Sequence, residues 1–374
     1  MIIATYNIQN IFHRENHLIN QFRENNKDYW TMEFENLLTK EACSDKDFER
    51  MRVLSNFLEL DTSQNSHYIT MRHKSGDIRI KKSDNLEPYK SNHLTNWNGW
   101  IKLNSSPIDE IAIRNKARVI NNISPDVLIL LEVENRKALI EFNQYFLSKD
   151  NGFGYKHILY FETNDAYGRG IGILTKEGYQ ITSIKTHVND LDLDGNPIFD
   201  TDLQEYELKT VKGYKLNLLS TFFTNGFDGT NKIDIRRKKQ AKIIAELYRN
   251  IKETNSLVAI MGTFNAPPYS DSLSPLVRDT DLKNITKHDS FEVDLDKGKD
   301  ADYFRMGAYK MGVNIKQRDY LMFSSKLFDN VKKGGIVRKG IWFKKQPQWH
   351  IFNTIKHEGH AASEHPLVWS ELNI

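Results

Sequence analysis

The stretch Leu257–Pro268, LVAIMGTFNAPP, limits what this chain folds into more than any other. Leu257, Val258, Ala259, Ile260 and Met261 run apolar without alternation, the pattern of a strand covered on both faces. Gly262 breaks the run, Thr263, Phe264 and Asn265 follow, and Pro267 and Pro268 forbid regular continuation. The rim beyond the carboxyl ends of strands is where α/β sheets place chemistry, so a polar Thr-Phe-Asn there marks a candidate site. A strand running into an ordinary proline turn is the plain alternative. What favours the site is that other strands end the same way. Ile2–Ile8 ends in Asn7, Gln9 and Asn10, and Val127–Leu131 delivers Glu132-Val133-Glu134-Asn135.

Between these landmarks, strands and helices alternate in two rough halves. Helices are expected over 108–123, with Ile111, Val119 and Ile120 inward, over 136–147, and over 235–250. Strands are expected over 157–162, 171–175, 215–223, 319–323 and 365–370. Segments 179–187 and 205–209 read as paired strands around the turn Asp192–Asn196, and Asn225–Gly229 reads as a glycine-rich loop. The polar region from about 15 to 100 is different. It holds helical spacings at Phe34-Leu37-Leu38 and Met51-Leu54-Phe57-Leu58, a hairpin of Tyr68–Arg72 with Ile78–Lys81 around Ser75-Gly76-Asp77, and the closing Trp97-Asn98-Gly99-Trp100. Its thin apolar content reads as an insertion in a single domain spanning 1–374. Two stacked mixed sheets with helices outside fit the alternation better than one parallel sheet.

Charge narrows the partners. The 52 basic and 49 acidic residues leave +3, which does not argue for a strongly basic nucleic-acid binder, although a local basic groove is compatible with it. The single cysteine, Cys43, leaves neither a disulfide framework nor a cysteine zinc site. The start MIIATYNIQNIFHR has no basic beginning and no long apolar core, and no apolar run approaches the roughly 18 residues of a membrane span. A cytoplasmic protein without a membrane partner is the expectation.

Four strand ends carry acids or amides: Asn7, Glu132, Asn265, and Glu364 with His365; Asp319 opens a fifth strand. Carboxylates and amides are hard oxygen ligands of the kind that suits Mg²⁺ or Mn²⁺, and a carboxylate beside a histidine orients the imidazole. Each residue alone has an ordinary reading as a cap, a surface acid or loop polarity.

The stretches ATYNIQNIF, SPDVLILLEVEN, GRGIGIL, RRKKQA, IMGTFNAPP, RDYLMFS and ASEHPLVW, in this order, resemble the endonuclease/exonuclease/phosphatase superfamily with its deoxyribonuclease-I-like fold. The resemblance covers most of 1–12 and 111–374. It implies a four-layer α/β sandwich and metal-dependent phosphoester hydrolysis. It puts Asn7, Glu132 and Glu364 at a metal, Asn265 and Arg169 at phosphate, and His365, Asp319, Glu364 and Asn265 in the catalytic set. It implies nucleic acid or a phosphorylated ligand as partner, with a protein partner as the alternative.

The departures from the family pattern carry their own message. Gly262-Thr263-Phe264-Asn265 stands where the family has Gly-Asp-Phe-Asn, and Thr221-Phe222 where it has Asn-His. Arg169-Gly170-Ile171-Gly172 replaces Arg-Gly-Ile-Asp, Thr224-Asn225 replaces Lys-Ser, and Glu364-His365 replaces the Asp-His pair. Losing a general base alone removes a factor of roughly 10²–10⁴. The expectation is a protein of phosphodiesterase ancestry with lost or strongly impaired hydrolysis and retained phosphate or nucleic-acid binding. The alternatives are an active nuclease with an altered set and a protein-binding scaffold. Asn7, Glu132 and Glu364 are expected to converge on one cation. Residues 15–100, anchored by Phe12, Trp97 and Trp100, are expected to wall the cleft.

Overall fold

The computed structural model describes residues 1–15, 26–38, 40, 43–57, 69–75, 98–103, 105–148, 154–165, 167–223, 232–293, 317–342 and 349–374. They form two compact units, Met1–Ile11 with Asp109–Ile374, and Phe12–Ile108. Strand β1, Ile2–Asn7, opens the larger unit. The smaller unit follows with β2 (His13–Glu15), α1 (Asn26–Leu38), α2 (Asp45–Phe57), β3 (Ile69–Ser75), β4 (Asn98–Leu103) and β5 (Ser105–Pro107). The helical spacings hold: Phe34, Leu37 and Leu38 of α1 and Met51 and Leu54 of α2 are buried. β3 pairs antiparallel with β4, Ile69 opposite Leu103 and Arg72 opposite Trp100. Segment 78–81, Leu58 and Trp97 lie outside the described residues. β2 pairs antiparallel with β5, His13 opposite Pro107, and the Ile108 N–H donates to the Phe12 carbonyl at 2.7 Å. The entry and exit of this unit therefore lie side by side.

The larger unit continues with α3 (Glu110–Asn121), β6 (Val127–Val133), α4 (Arg136–Phe142), β7 (His157–Phe161), β8 (Gly170–Thr175), β9 (Gln180–Thr186), β10 (Leu203–Lys209) and β11 (Lys215–Phe222). Next come α5 (Lys232–Thr254), β12 (Val258–Thr263), β13 (Lys283–Asn284), β14 (Phe291–Glu292), β15 (Asp319–Phe323), β16 (Val331–Val337) and β17 (Leu367–Leu372). Among the described residues, one sheet runs β14-β16-β17-β1-β6-β8-β7 and the other β13-β15-β12-β11-β10-β9. Both are mixed: β1–β6 and β11–β12 are parallel, while β1–β17 and β12–β15 are antiparallel.

The two sheets stack on each other. Ile3, Ile129 and Ile173 of the first meet Leu218, Met261 and Leu321 of the second in one buried cluster. The alternate residues of β12, Val258 and Ile260, face the other way, onto Ala241, Ile244 and Tyr248 of α5. A strand covered on both faces loses the polar alternation, and each buried side chain is worth about 2 kcal/mol. On the far side, Leu139 of α4 packs onto Gly172 of β8, where an added Cβ would lie 2.7 Å from it. Helices, sheet, sheet and helix make a four-layer α/β sandwich. α3 opens on Asp109, whose carboxylate accepts the Ile111 N–H at 2.7 Å. Val119 and Ile120 are buried as expected, but Ile111 sits in the first turn at 36% exposure. Among the described residues no helix is long and apolar enough to cross a membrane.

Candidate functional site

Sheet register assembles the site. Phe222 of β11 stands opposite Thr263 of β12, and Thr263 stands opposite Asp319 of β15. The three side chains thus form one row at the edge of the second sheet. Gly262 makes the row possible: its φ is +155°, and a Cβ there would come within 1.8 Å of the Thr221 carbonyl. On the first sheet, Asn7 of β1 stands opposite Leu131 of β6, one residue before Glu132. Glu132 is the extra residue where the β6–β8 register shifts, and it adopts φ +57°. A bulge of this kind re-aims a side chain, at a cost of order 1 kcal/mol for the left-handed backbone.

The two rows meet in a continuous chain of hydrogen bonds. The Arg169 guanidinium holds Glu132 Oε2 through Nη1 at 2.6 Å. Asn7 Nδ2 donates to Glu132 Oε1 at 2.9 Å and to Thr263 Oγ1 at 3.2 Å. The Thr263 hydroxyl donates to Asp319 Oδ1 at 2.7 Å. His365 Nδ1 lies 2.9 Å from both Asp319 oxygens. Asn7, Thr263, Asp319, His365 and Glu132 are all buried. Burial strengthens each bond and makes each unpaired group expensive, so the set holds together as a unit.

The segments that follow β1 and β6 and the one that precedes β17 are stitched to one another. The Ser363 hydroxyl donates to the Asn7 carbonyl at 2.7 Å, and the Glu364 N–H donates to Gln9 Oε1 at 2.8 Å. Glu134 accepts the Ile11 N–H at 2.5 Å. Lys116, fully buried on α3, donates through Nζ to the carbonyls of Ile8 and Ala362.

Several expected residues thus come together: Asn7, Glu132, Arg169, Asp319 and His365 share one network. Asn265 stands near it at φ +49°, with Nδ2 donating to the Phe223 carbonyl at 2.7 Å and a buried Oδ1 that makes no hydrogen bond among the described residues. Glu364 is exposed, its carbonyl accepts from Arg318 Nη2 at 3.2 Å, and the carboxylate that orients His365 belongs to Asp319. Sequence reasoning missed Lys116 and Ser363, and took Gln9 only as polarity at a strand end. For Lys116 a signal exists: it falls at three- and four-residue spacing with Ala112, Ile113, Val119 and Ile120, a lone lysine on an apolar stripe. The loop at 224–231 lies outside the described residues.

A divalent ion does not fit this donor set. Both oxygens of Glu132 are engaged, Asn7 turns its Nδ2 toward Glu132, and Asn7 Oδ1 accepts the Gln9 N–H at 3.2 Å. No group of three His, Cys, Asp or Glu among the described residues is arranged to hold a metal.

The sequence profile of the endonuclease/exonuclease/phosphatase family matches residues 98–348, two thirds of the chain. The chain belongs to this family. No curated protein matches it by sequence. Similar solved structures include the human Nocturnin catalytic domain with bound sulfate, at 13% identity and a TM-score of 0.47 over 71% of this chain and 87% of that one. A family protein from Bacteroides vulgatus has 16% identity and a TM-score of 0.46 over 70% and 91%. A mannosyl-6-phosphatase from Bacteroides thetaiotaomicron has 12% identity and a TM-score of 0.44 over 71% and 92%. Divalent metals are common in the family.

Proposed function

We propose that this family member binds a phosphoester ligand, a nucleic acid or a phosphorylated small molecule, with its hydrolysis lost or strongly weakened. The observation that carries this reading is the Thr263 hydroxyl on Asp319 Oδ1 at 2.7 Å. In the family pattern an aspartate occupies this position to orient or deprotonate the attacking water. A threonine hydroxyl is a weak donor and acceptor that does not take a proton near neutral pH. Here it spends its proton on Asp319. In the same row Phe222 places an apolar ring where the family has a phosphate-contacting histidine. The ligand-facing groups are then His365 and Asn265, whose Oδ1 accepts from a hydroxyl of the ligand and not from its phosphate.

One observation favours a second reading, an active phosphodiesterase with an altered catalytic set. His365 Nδ1 lies 2.9 Å from both oxygens of Asp319, which fixes the ring in place for proton transfer. A panel of DNA, RNA and phosphate-ester substrates, run with wild type and His365→Ala beside an active family member, separates the two. Turnover at least roughly 10²-fold below the active relative is expected from the missing base. Robust wild-type turnover that disappears in His365→Ala selects the second reading. Fluorescence anisotropy with a labelled oligonucleotide and with a phosphorylated sugar tests binding, and no saturable binding of either sinks the ligand half of the proposal.

A further inference from the structure

We infer that Arg169 takes the seat of the divalent ion: Glu132 and Asp165 bind a guanidinium in its place, and the site holds no Mg²⁺ or Mn²⁺.

The arginine is caged, not merely nearby. Its Nη1 holds Glu132 Oε2 at 2.6 Å, while Nε and Nη2 hold Asp165 Oδ2 and Oδ1, both at 2.8 Å. The Arg169 and Asp165 side chains are 13% and 7% exposed. Bidentate guanidinium–carboxylate pairs are among the strongest polar contacts, and burial removes the water that would compete with them. The loop is folded to present this pairing. Asp165 Oδ2 also accepts the backbone N–H groups of Tyr167 at 3.2 Å and Arg169 at 3.1 Å, and the Thr163 hydroxyl holds the Arg169 carbonyl at 2.7 Å. The guanidinium carbon lies 5.2 Å from the Tyr167 ring centroid and 5.9 Å from that of Phe222. Aromatic faces favour a cation at such distances. Two departures from the family pattern thereby become one: the phenyl ring that removes a phosphate contact also lines the cage. A divalent ion entering here has to strip the guanidinium from two carboxylates and leave it buried without them.

The test reads metal uptake, not hydrolysis, so its failure leaves the reading of Thr263 standing. Mn²⁺ is titrated into wild type, Glu132→Gln, Arg169→Gln and the double variant, with free Mn²⁺ followed by electron paramagnetic resonance. Folding of each variant is checked by circular dichroism. Wild type and Glu132→Gln are expected to be indistinguishable, with any Kd above roughly 1 mM, the weak end for carboxylate sites. Arg169→Gln is expected to bind Mn²⁺ at least tenfold more tightly, and the gain is expected to vanish in the double variant. Wild type binding Mn²⁺ tightly in a Glu132-dependent way overturns the inference. So does a folded Arg169→Gln that gains nothing. Should Arg169→Gln not fold, wild type against Glu132→Gln still decides, and Arg169→Lys, which keeps the charge without the fork, is expected to open the seat part-way.

Discussion

At the scale of single residues, Thr263 decides most. It accepts from Asn7 and donates to Asp319, so it joins the two sheets' contributions with one hydroxyl. Thr263→Val keeps the shape and removes both bonds, leaving buried Asn7 and Asp319 each short of a partner. A loss of about 1–3 kcal/mol is expected, read from the urea midpoint. An unchanged midpoint means the network holds nothing together. Thr263→Asp replaces a donor to Asp319 by a second carboxylate within hydrogen-bond reach of it. Two acids that close share one proton. The sequence makes the candidate residues legible because they border apolar runs, Glu132 just after one and Arg169, Asp319 and His365 just before one. It does not show partnership. Arg169 reads as a phosphate contact, yet its partner Glu132 lies 37 positions back, brought to 2.6 Å by a bulge that no pattern announces. His365 reads as paired with its neighbour, and its true partner lies 46 positions away.

At the scale of elements, the antiparallel pair β9–β10 carries a titrating device at its end. His187 Nδ1 meets Asp190 Oδ2 and its Nε2 meets Glu205 Oε1, both at 2.6 Å. Burial works against the imidazolium, but the hydrogen bonds and charges of Glu205 and Asp190 outweigh it and hold the pKa above its ordinary 6.5. Burial pushes nearby Asp202 up to about 6, against the N–H of His187 and the Gln204 amide. Both folded pKa values are raised, so both groups add stability that is present at low pH and fades as pH rises. Asp202 loses its share between its ordinary 3.8 and about 6. His187 loses its share above 6.5, as the pH climbs through its folded value. Thermal unfolding of wild type is therefore expected to fall in Tm from pH 6.5 upward, and His187→Gln to be less stable at pH 6.5 with a flatter profile above it. A parallel decline in both proteins removes His187 as the cause. Strands were readable here to within a residue or two, since alternation and turn residues are local. β17 starts at Leu367, two residues after the expected 365, and α5 runs to Thr254, beyond the expected 250, because caps and packing set the ends.

At the scale of the whole chain, the four-layer architecture was legible and the smaller unit was not. Stacked sheets leave long apolar runs, whereas a unit with short strands and polar helices leaves only spacing. Its ends nonetheless make a prediction. Phe12 and Ile108 are bonded across the β2–β5 pair, where opposed Cα atoms sit about 5 Å apart. Replacing residues 12–108 by a four-residue Gly-Ser linker from Ile11 to Asp109 is expected to leave a folded protein with one cooperative urea transition. An aggregated or unstructured product would show that the larger unit depends on the smaller one. The same clasp has a consequence for ancestry. An open loop of roughly 100 residues costs its host about 2 kcal/mol more in closure entropy than one of ten. A segment whose two ends are already held together spares the host most of that difference. The host is then a socket and the segment a cartridge, and a lineage is able to exchange the cartridge without relearning how to fold the socket.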